Sequence, residues 1–227
     1  MTSSLEPRTP VHRSAAPGRE GGSNIPLWLK LGWSLWVAIW IPYYWNYYGP
    51  QNFLWFCDIS NLMIAAALWA ESPLLFSWQA VSVLVVQSVM TLDVLARLTG
   101  TWHPPGITQY MFDVDYPLHI RLLSCYHFAI PPLLIWALWK LRYDKRALPA
   151  QCLSALVLLP ITWLFGRGDP SDPRLDRNLN YTWAPFDIPQ TVMAPWLYLV
   201  VCMIAYPLLI YVPTHFLLAR LFRNRDP

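Results

Sequence analysis

Residues 52–90 read "NFLWFCDISNLMIAAALWAESPLLFSWQAVSVLVVQSVM". Two apolar runs, at about 52–71 and 73–98, lie on either side of the tripeptide "ESP". A membrane-spanning helix needs roughly 20 consecutive, mostly apolar residues, and both runs have about that length. Because the connection between them is so short, the pattern predicts a tight antiparallel hairpin of two membrane-spanning helices.

The composition of the whole chain also indicates a membrane protein. Of its 227 residues, 56% are hydrophobic and 13% are charged, whereas an ordinary soluble domain has about 25% charged residues. The chain contains 14 Trp and 12 Tyr, and such rings favour the headgroup level of a bilayer. A soluble protein of this size would need a polar coat that this sequence lacks. We therefore predict an integral membrane protein.

Six stretches are apolar and long enough to span a bilayer, which predicts an all-α, polytopic bundle of about six transmembrane helices. We expect this bundle to form one domain at 25–222, between a disordered cytoplasmic tail at 1–24 and a short basic cytoplasmic tail at 223–227. The predicted spans lie at about 26–48, 52–71, 73–98, 117–140, 147–166 and 194–219.

The basic residues predict the orientation of the bundle. With six spans, both termini lie on one side, and most of the sixteen Lys and Arg residues lie there too. Because basic segments stay in the cytoplasm, we expect cytoplasmic termini and a location in the cytoplasmic (plasma) membrane. The loops at about 99–116 and 167–193 then face outward. The basic residues on the inner side are Arg8, Arg13, Arg19, Lys30, Lys140, Arg142, Lys145, Arg146, Arg220, Arg223 and Arg225.

The polar residues of the predicted spans gather in the outer half of the membrane. Ionisable groups inside a bilayer are costly and mark functional sites. We therefore predict a polar pocket that these residues line together with the loop stretch "RNLNYTWAPFD" at 177–187. The polar residues of the outer half are Cys57, Asp58, Asn61, Asp93, Arg97, His119, Arg121, Cys125 and His127.

Cys57 is the candidate reactive group of this pocket. A thiol needs an imidazole within hydrogen-bond reach to become a useful thiolate near neutral pH. Depth along the helices does not choose between His119 and His127 as that partner. Asp58 and Asn61 are predicted to support the thiol, since Cys57 and Asn61 share one helix face. The alternative is that Cys57 is a small apolar filler, as most cysteines in membrane helices are.

Asp93 has a simpler interpretation alongside a supporting role in the pocket. It lies four residues before Arg97, and acid-first pairs at this spacing attract each other. We expect an internal ion pair that lets both residues sit near the membrane interface.

Other classes of site find little support in the sequence. The net charge of +3 is small and the basic residues are scattered, so no nucleic acid partner is expected. The residues that could bind a metal, Cys57, Asp58, His119 and His127, lack the tight spacing of a metal site, and no cofactor is expected. A transporter is less favoured, because no Pro-broken spans in matching halves mark an inverted repeat.

Three motifs resemble the YwaF-like integral membrane proteins. They are "FCDISN" at 56–61, "SCYHFAIPPLLI" at 124–135 and "NLNYTWAP" at 178–185. Their order and spacing agree with that family from about residue 50 to about residue 205. The eukaryotic relatives of this family are acyltransferases that move fatty acyl chains onto ether phospholipids through a cysteine thioester.

The resemblance implies a role for individual residues of this chain. Cys57 would be the nucleophile that accepts the acyl chain, and His127 would be its general base. Asn180, with Tyr181 beside it, would be a polar positioning element. Membrane lipids would then be the partners, and a lipid or another acyl carrier would be the substrate.

A non-catalytic function is the alternative. The chain would then be a membrane module that binds a lipid or a partner protein, with its polar cluster holding the helices together. Only the catalytic hypothesis predicts that Cys57 reacts faster than Cys125, Cys152 and Cys202. Oligomeric state is left open by the sequence.

Overall fold

The computed structural model describes residues 25–101, 108–167, 171–172, 174–175, 177–186 and 188–222. Helices and the turns between them make up nearly all of this part of the chain, which confirms the predicted all-α class. The two predicted tails, 1–24 and 223–227, lie outside the described residues.

The first helices differ slightly from the predicted spans. Helix α1 spans Leu27–Tyr48, and a 3-10 helix at Pro50–Leu54 follows it. Helix α2 spans Phe56–Ala70. The predicted second span, 52–71, therefore starts too early, because the chain makes a separate turn after Pro50 before α2 begins.

The predicted hairpin joins α2 to α3, which spans Pro73–Leu98. Glu71 ends α2 in the left-handed conformation, with φ +46°. Ser72 then caps α3, since its Oγ accepts a hydrogen bond from the Leu75 backbone N at 3.3 Å. Pro73 occupies the first helical position, where its missing N–H leaves no helical bond unmade. The tripeptide thus ends one helix and starts the next.

The fourth predicted span, 117–140, is divided into two helices. Helix α4 spans Leu118–Leu123 and α5 spans Tyr126–Leu141. At the break between them, the Cys125 backbone N donates to the Leu122 carbonyl at 3.0 Å, a bond of the 3-10 type. The break places the start of α5 beside the functional site described below.

The last predicted span, 194–219, contains two helices in continuous succession. Helix α6 precedes it and spans Ala147–Phe165. Helix α7 spans Pro195–Tyr206, a π-helical turn covers Pro207–Tyr211, and α8 spans Val212–Leu221. Pro207 has no N–H for the usual helical bond, and the wider π turn lets the helical path continue through it.

Four helical stretches are long and apolar enough to cross a membrane, and the shorter α2 is apolar as well. Large apolar side chains on the outside of the bundle, such as Leu92, Leu153 and Leu209, are more than half exposed. A surface of this kind suits hydrocarbon rather than water, so the chain is an integral membrane protein. The four stretches are Pro73–Leu98, Leu118–Leu141, Ala147–Phe165 and Pro195–Leu221.

Helix α3 forms the centre of the bundle. It packs against α2, α5 and α6, and it also meets α8 and the π turn. Five different helices each contribute a fully buried apolar side chain to the core. This arrangement lets α3 carry both core residues and residues of the site. The five side chains are Trp40, Ile64, Phe76, Leu134 and Leu159.

A largely buried ion pair holds α1 against the hairpin. Lys30 Nζ lies 2.6 Å from Glu71 Oε1. The same ammonium group lies 5.8 Å from the centre of the Trp69 ring, and Trp69 Nε1 donates to Ser34 Oγ at 2.9 Å. These contacts fix the start of α1 beside the end of α2, at the end of the bundle opposite Cys57.

Candidate functional site

A cavity of about 700 Å³ lies at the end of the bundle where α1 ends and α2 and α5 begin. Its walls come from α1, α2, α3, α5, the π turn and both long loops. Five of the predicted site residues line this one cavity, although they come from distant parts of the sequence. They are Cys57, Asp58, His127, Asn180 and Tyr181.

The Asp58 carboxylate is the hydrogen-bonding centre of the cavity wall. It is 2% exposed. Its Oδ2 accepts from Asn52 Nδ2 at 2.7 Å, and its Oδ1 accepts from the Tyr126 hydroxyl. A carboxylate buried among apolar groups is costly unless it is hydrogen-bonded, so these donors are needed to keep it there. They join the 3-10 helix, α2 and α5 at one point.

The Cys57 thiol contacts this same carboxylate. Cys57 lies in the first turn of α2, is partly buried and lines the cavity. Its Sγ donates to Asp58 Oδ1 at a distance of 3.8 Å. Cys57 is therefore held at the cavity surface by its neighbour in the sequence.

His127 lies in the cavity wall with a ring nitrogen available. Its Nδ1 is buried and has no hydrogen-bond partner among the described residues. The ring packs on Tyr126, with 4.1 Å between ring centres. No hydrogen bond joins His127 to Cys57 within the described part of the chain.

The second histidine considered as a partner for Cys57 lies elsewhere. His119 is exposed and packs against Tyr43, with 5.6 Å between ring centres. It is not among the residues that line the cavity. Of the two histidines, His127 is thus the one that shares the cavity with Cys57.

Asn180 caps the helix that carries Cys57. Its Oδ1 accepts a hydrogen bond from the Phe56 backbone N at 2.9 Å, and its Nδ2 donates to the Leu54 carbonyl at 2.8 Å. Phe56 is the first residue of α2, where backbone N–H groups have no partner within the helix. The Tyr206 hydroxyl in turn donates to the Asn180 carbonyl at 2.6 Å. Asn180 therefore fixes both the loop and the start of α2.

The backbone around Asn180 is held in an uncommon conformation. Asn180 has φ +49° and Tyr181 has φ +51°, both in the left-handed region. Asparagine tolerates this region better than most residues do, but tyrosine does not. Tyr181 is held there by ring contacts with Trp55 and Phe186, at 5.4 and 4.9 Å between centres. Two such residues in succession, at a cavity wall, are typical of functional sites.

Two predicted site residues do not line the cavity. Asn61 is fully buried one turn beyond Cys57, and its side-chain amide has no hydrogen-bond partner among the described residues. Asp93 forms the expected ion pair, with 3.2 Å between its Oδ2 and Arg97 Nε. Its Oδ2 also accepts from the Thr108 hydroxyl. Asp93 thus ties the end of α3 to the following loop, away from the cavity.

Three further residues of the cavity were not predicted from the sequence. Asn52 and Tyr126 hold Asp58, and each lies close in sequence to a predicted residue. Gln87 is fully buried in α3, with both its Oε1 and its Nε2 unpaired among the described residues. Arg177 belongs to the predicted loop stretch 177–187, and its guanidinium lies 4.4 Å from the centre of the Tyr48 ring. The amide of Gln87, within the mostly apolar stretch 80–90 of α3, was a signal that could have identified it.

The cavity is amphipathic. One side is apolar and includes Val83, Val86 and Ile210. The part of the lining that comes from the two long loops, here called the rim, carries Tyr110 and Arg177. Burial raises the pKa of the Tyr110 phenol well above its ordinary value, so this group stays a neutral hydrogen-bond donor at physiological pH. A ligand that has both an apolar and a polar part matches this distribution.

Comparison with protein-family models, with curated proteins and with solved structures finds no match for this chain. Its function therefore has to be inferred from the cavity itself. Three groups of the cavity wall are available to a ligand. They are the thiol of Cys57 and, among the described residues, the unpaired nitrogen of His127 and the unpaired amide of Gln87.

We expect loss of the Asn180 side chain to lower the free energy of unfolding by about 2 kcal/mol, since two hydrogen bonds that cap α2 disappear. Asn180→Gly tests the hydrogen bonds alone, because glycine keeps the positive φ without strain. Asn180→Ala adds backbone strain and is expected to cost about 1 kcal/mol more. Denaturant unfolding in detergent measures both changes.

The control for this experiment is Asn46→Ala, at an exposed asparagine of α1. It is expected to change stability by less than about 0.5 kcal/mol. Wild-type stability in Asn180→Gly would show that the cap does not hold α2.

Proposed function

We propose that this chain is a membrane acyltransferase, which moves an acyl chain between lipids through a thioester on Cys57. The observation that carries the proposal is that a thiol and an imidazole with an unpaired nitrogen share one amphipathic cavity. A volume of about 700 Å³ also lies in the range of small-molecule sites. Lipids are the amphipathic molecules that a membrane location supplies.

In the first step, the Cys57 thiol gives its proton to His127. The sulfur then attacks the carbonyl carbon of a lipid acyl ester. The ester C–O bond breaks, the leaving alcohol takes the proton from His127, and the acyl chain remains on Cys57 as a thioester. This step requires the thiol to exchange its contact with Asp58 for one with His127.

The second step reverses the first with a different alcohol. The hydroxyl of an acceptor lipid gives its proton to His127, and its oxygen attacks the thioester carbonyl. The C–S bond breaks and Cys57 recovers the proton. An apolar surrounding favours transfer over hydrolysis, since it keeps water away from the thioester.

Negative charge develops on the carbonyl oxygen in both steps, and hydrogen-bond donors would have to stabilise it. We assign Gln87 to this role, because its Nε2 is buried, lines the cavity and has no partner among the described residues. Asn61, which was predicted to support the thiol, does not line the cavity.

The resemblance to the YwaF-like family supports the same assignment. The residues that match its motifs, Cys57, His127 and Asn180, all line the cavity. Membership of that family is part of this proposal, together with the acyl chemistry that the family implies.

A second candidate function is a non-catalytic membrane module that binds a lipid or a partner protein. The contact between Cys57 Sγ and Asp58 favours it, since the thiol is engaged by a carboxylate and not by His127. In that case the cavity would hold a lipid or a segment of a partner without reacting with it.

Selective acylation of Cys57 separates the two candidates. We expect an alkyne-tagged palmitoyl thioester to acylate Cys57 at least about tenfold faster than Cys125, Cys152 or Cys202, because Cys57 lines the cavity together with His127 and the other three cysteines do not line it. His127→Gln is expected to slow this reaction by about 100-fold through loss of the general base. Peptide mass spectrometry of protein in nanodiscs measures the rate at each cysteine.

The matched control is Cys125→Ser, which is expected to leave acylation of Cys57 unchanged. Equal and slow acylation of all four cysteines would contradict the acyltransferase proposal and favour the binding module.

We also propose that all six predicted spans cross the bilayer. Both termini would then lie in the cytoplasm, and the protein would lie in the plasma membrane. Helix α1 has 22 residues, which gives a length of about 33 Å. The 3-10 helix and α2 together extend over Pro50–Ala70. Most basic residues then lie on the cytoplasmic side.

A protease-sensitive tag at each terminus tests this topology in intact cells. We expect both tags to resist external protease until the membrane is permeabilised, because both lie inside. A tag at 167–193 serves as the external control and should be cut at once. Cleavage of one terminal tag in intact cells would contradict an even number of spans.

A further inference from the structure

The apolar side of the cavity reaches the outer surface of the bundle. Val85, Val86 and Val89 of α3 line the cavity, yet they are 40%, 40% and 46% exposed. Gln87, between them in sequence, is fully buried and lines the same cavity. One stretch of α3 therefore faces both the cavity interior and the surroundings of the bundle.

Helix α7, across from these valines, leaves a gap between itself and α3. Helix α7 packs against α6, whereas α3 meets the π turn and α8. Within the described residues, α7 therefore does not pack extensively against the second half of α3, where the valines lie. Tyr206, the last residue of α7, and Ile210 of the π turn line the cavity from the other side of the gap.

The π turn accounts for this divergence. Changes in helix direction occur at proline and at π turns, and Pro207–Tyr211 combines the two. Such a turn allows α8 to stay on α3 while α7 leans toward α6. The distortion lies directly beside the cavity, and π turns are frequent at functional sites.

We propose that this gap is a lateral portal, bounded by Val85, Val86, Val89, Tyr206 and Ile210, through which the acyl chain of a bilayer lipid enters the cavity. The inference rests on the proposed function and adds the route of the substrate. The apolar flanks of the gap continue outward in Leu92 and Ile204, which are 64% and 56% exposed. An acyl chain that passes between these helices stays in apolar surroundings throughout.

At the rim formed by residues of the two long loops, the cavity does not suit an acyl chain. Its rim carries Asp113 and Arg177 together with the tyrosines Tyr110 and Tyr116. A hydrocarbon chain would have to cross these charged and polar groups from water, which is unfavourable. The rim suits the polar part of a lipid whose chain extends toward the portal.

Two thiol reagents that reach Cys57 by different routes test the portal, and each is compared with its own rate in the unaltered portal. The protein is prepared in nanodiscs with Cys125, Cys152 and Cys202 changed to Ser, so that Cys57 is the thiol that reports. One reagent is N-hexadecylmaleimide, which partitions into the bilayer. The other is a small methanethiosulfonate that carries a sulfonate and stays in water. Mass spectrometry measures both rates of modification.

Val86→Trp with Val89→Trp fills the portal. We expect it to slow the hexadecyl reagent about tenfold, equivalent to about 1.4 kcal/mol in activation free energy. The rate of the sulfonate reagent is expected to change less than about twofold. Val157→Trp, at an exposed valine of α6 outside the cavity, is the matched control and should change neither rate.

Val89→Ala provides a second variant that carries little risk to folding. It widens the gap and is expected to speed the hexadecyl reagent alone. An unchanged hexadecyl rate in the tryptophan variant, or an equal loss of both rates, overturns the portal. If the tryptophan variant slows only the hexadecyl reagent while Cys57 accepts no acyl group from a thioester, the acyltransferase proposal fails and the portal stands.

Discussion

A buried carboxylate organises the functional end of this bundle. Asp58 lies in a region where an ionisable group without hydrogen bonds would be costly, and it is kept there by donors from three segments. The 3-10 helix before α2 brings Asn52 to it. The break between α4 and α5 places Tyr126 on its other side. The Cys57 thiol, which is the proposed reactive group, contacts the same carboxylate. The group that joins these segments therefore also holds the thiol.

The polar groups around the cavity fall into two kinds. Asp58 and Asn180 have their hydrogen bonds satisfied by the protein, and they hold segments together that are far apart in the sequence. Gln87 and His127 are buried with atoms that have no partner among the described residues. Buried polar atoms are normally hydrogen-bonded. The first kind builds the cavity, and the second kind is available to a ligand inside it.

Sequence patterns predicted part of this arrangement for physical reasons. The apolar runs on either side of the "ESP" tripeptide predicted the hairpin, and the rarity of polar groups in spans predicted that Cys57, Asp58 and His127 belong together. Depth along a helix does not determine which way a side chain points, so Asp93 was grouped with a cavity that it does not line. The cap by Asn180 joins residues more than a hundred positions apart, and no local pattern encodes such a contact. The π turn was missed because the apolar pattern continues through Pro207.

We expect the cavity around Asp58 to take up the acyl chain of a membrane lipid. Photocrosslinking with a lipid that carries a diazirine near the end of its acyl chain tests it most directly, when the protein is irradiated in nanodiscs and its peptides are mapped. We expect adducts to concentrate at 82–90, at 206–211 and at the residues around Cys57, and to disappear when unlabelled lipid competes. Adducts spread evenly over the exposed apolar surface, with none inside the cavity, would contradict it.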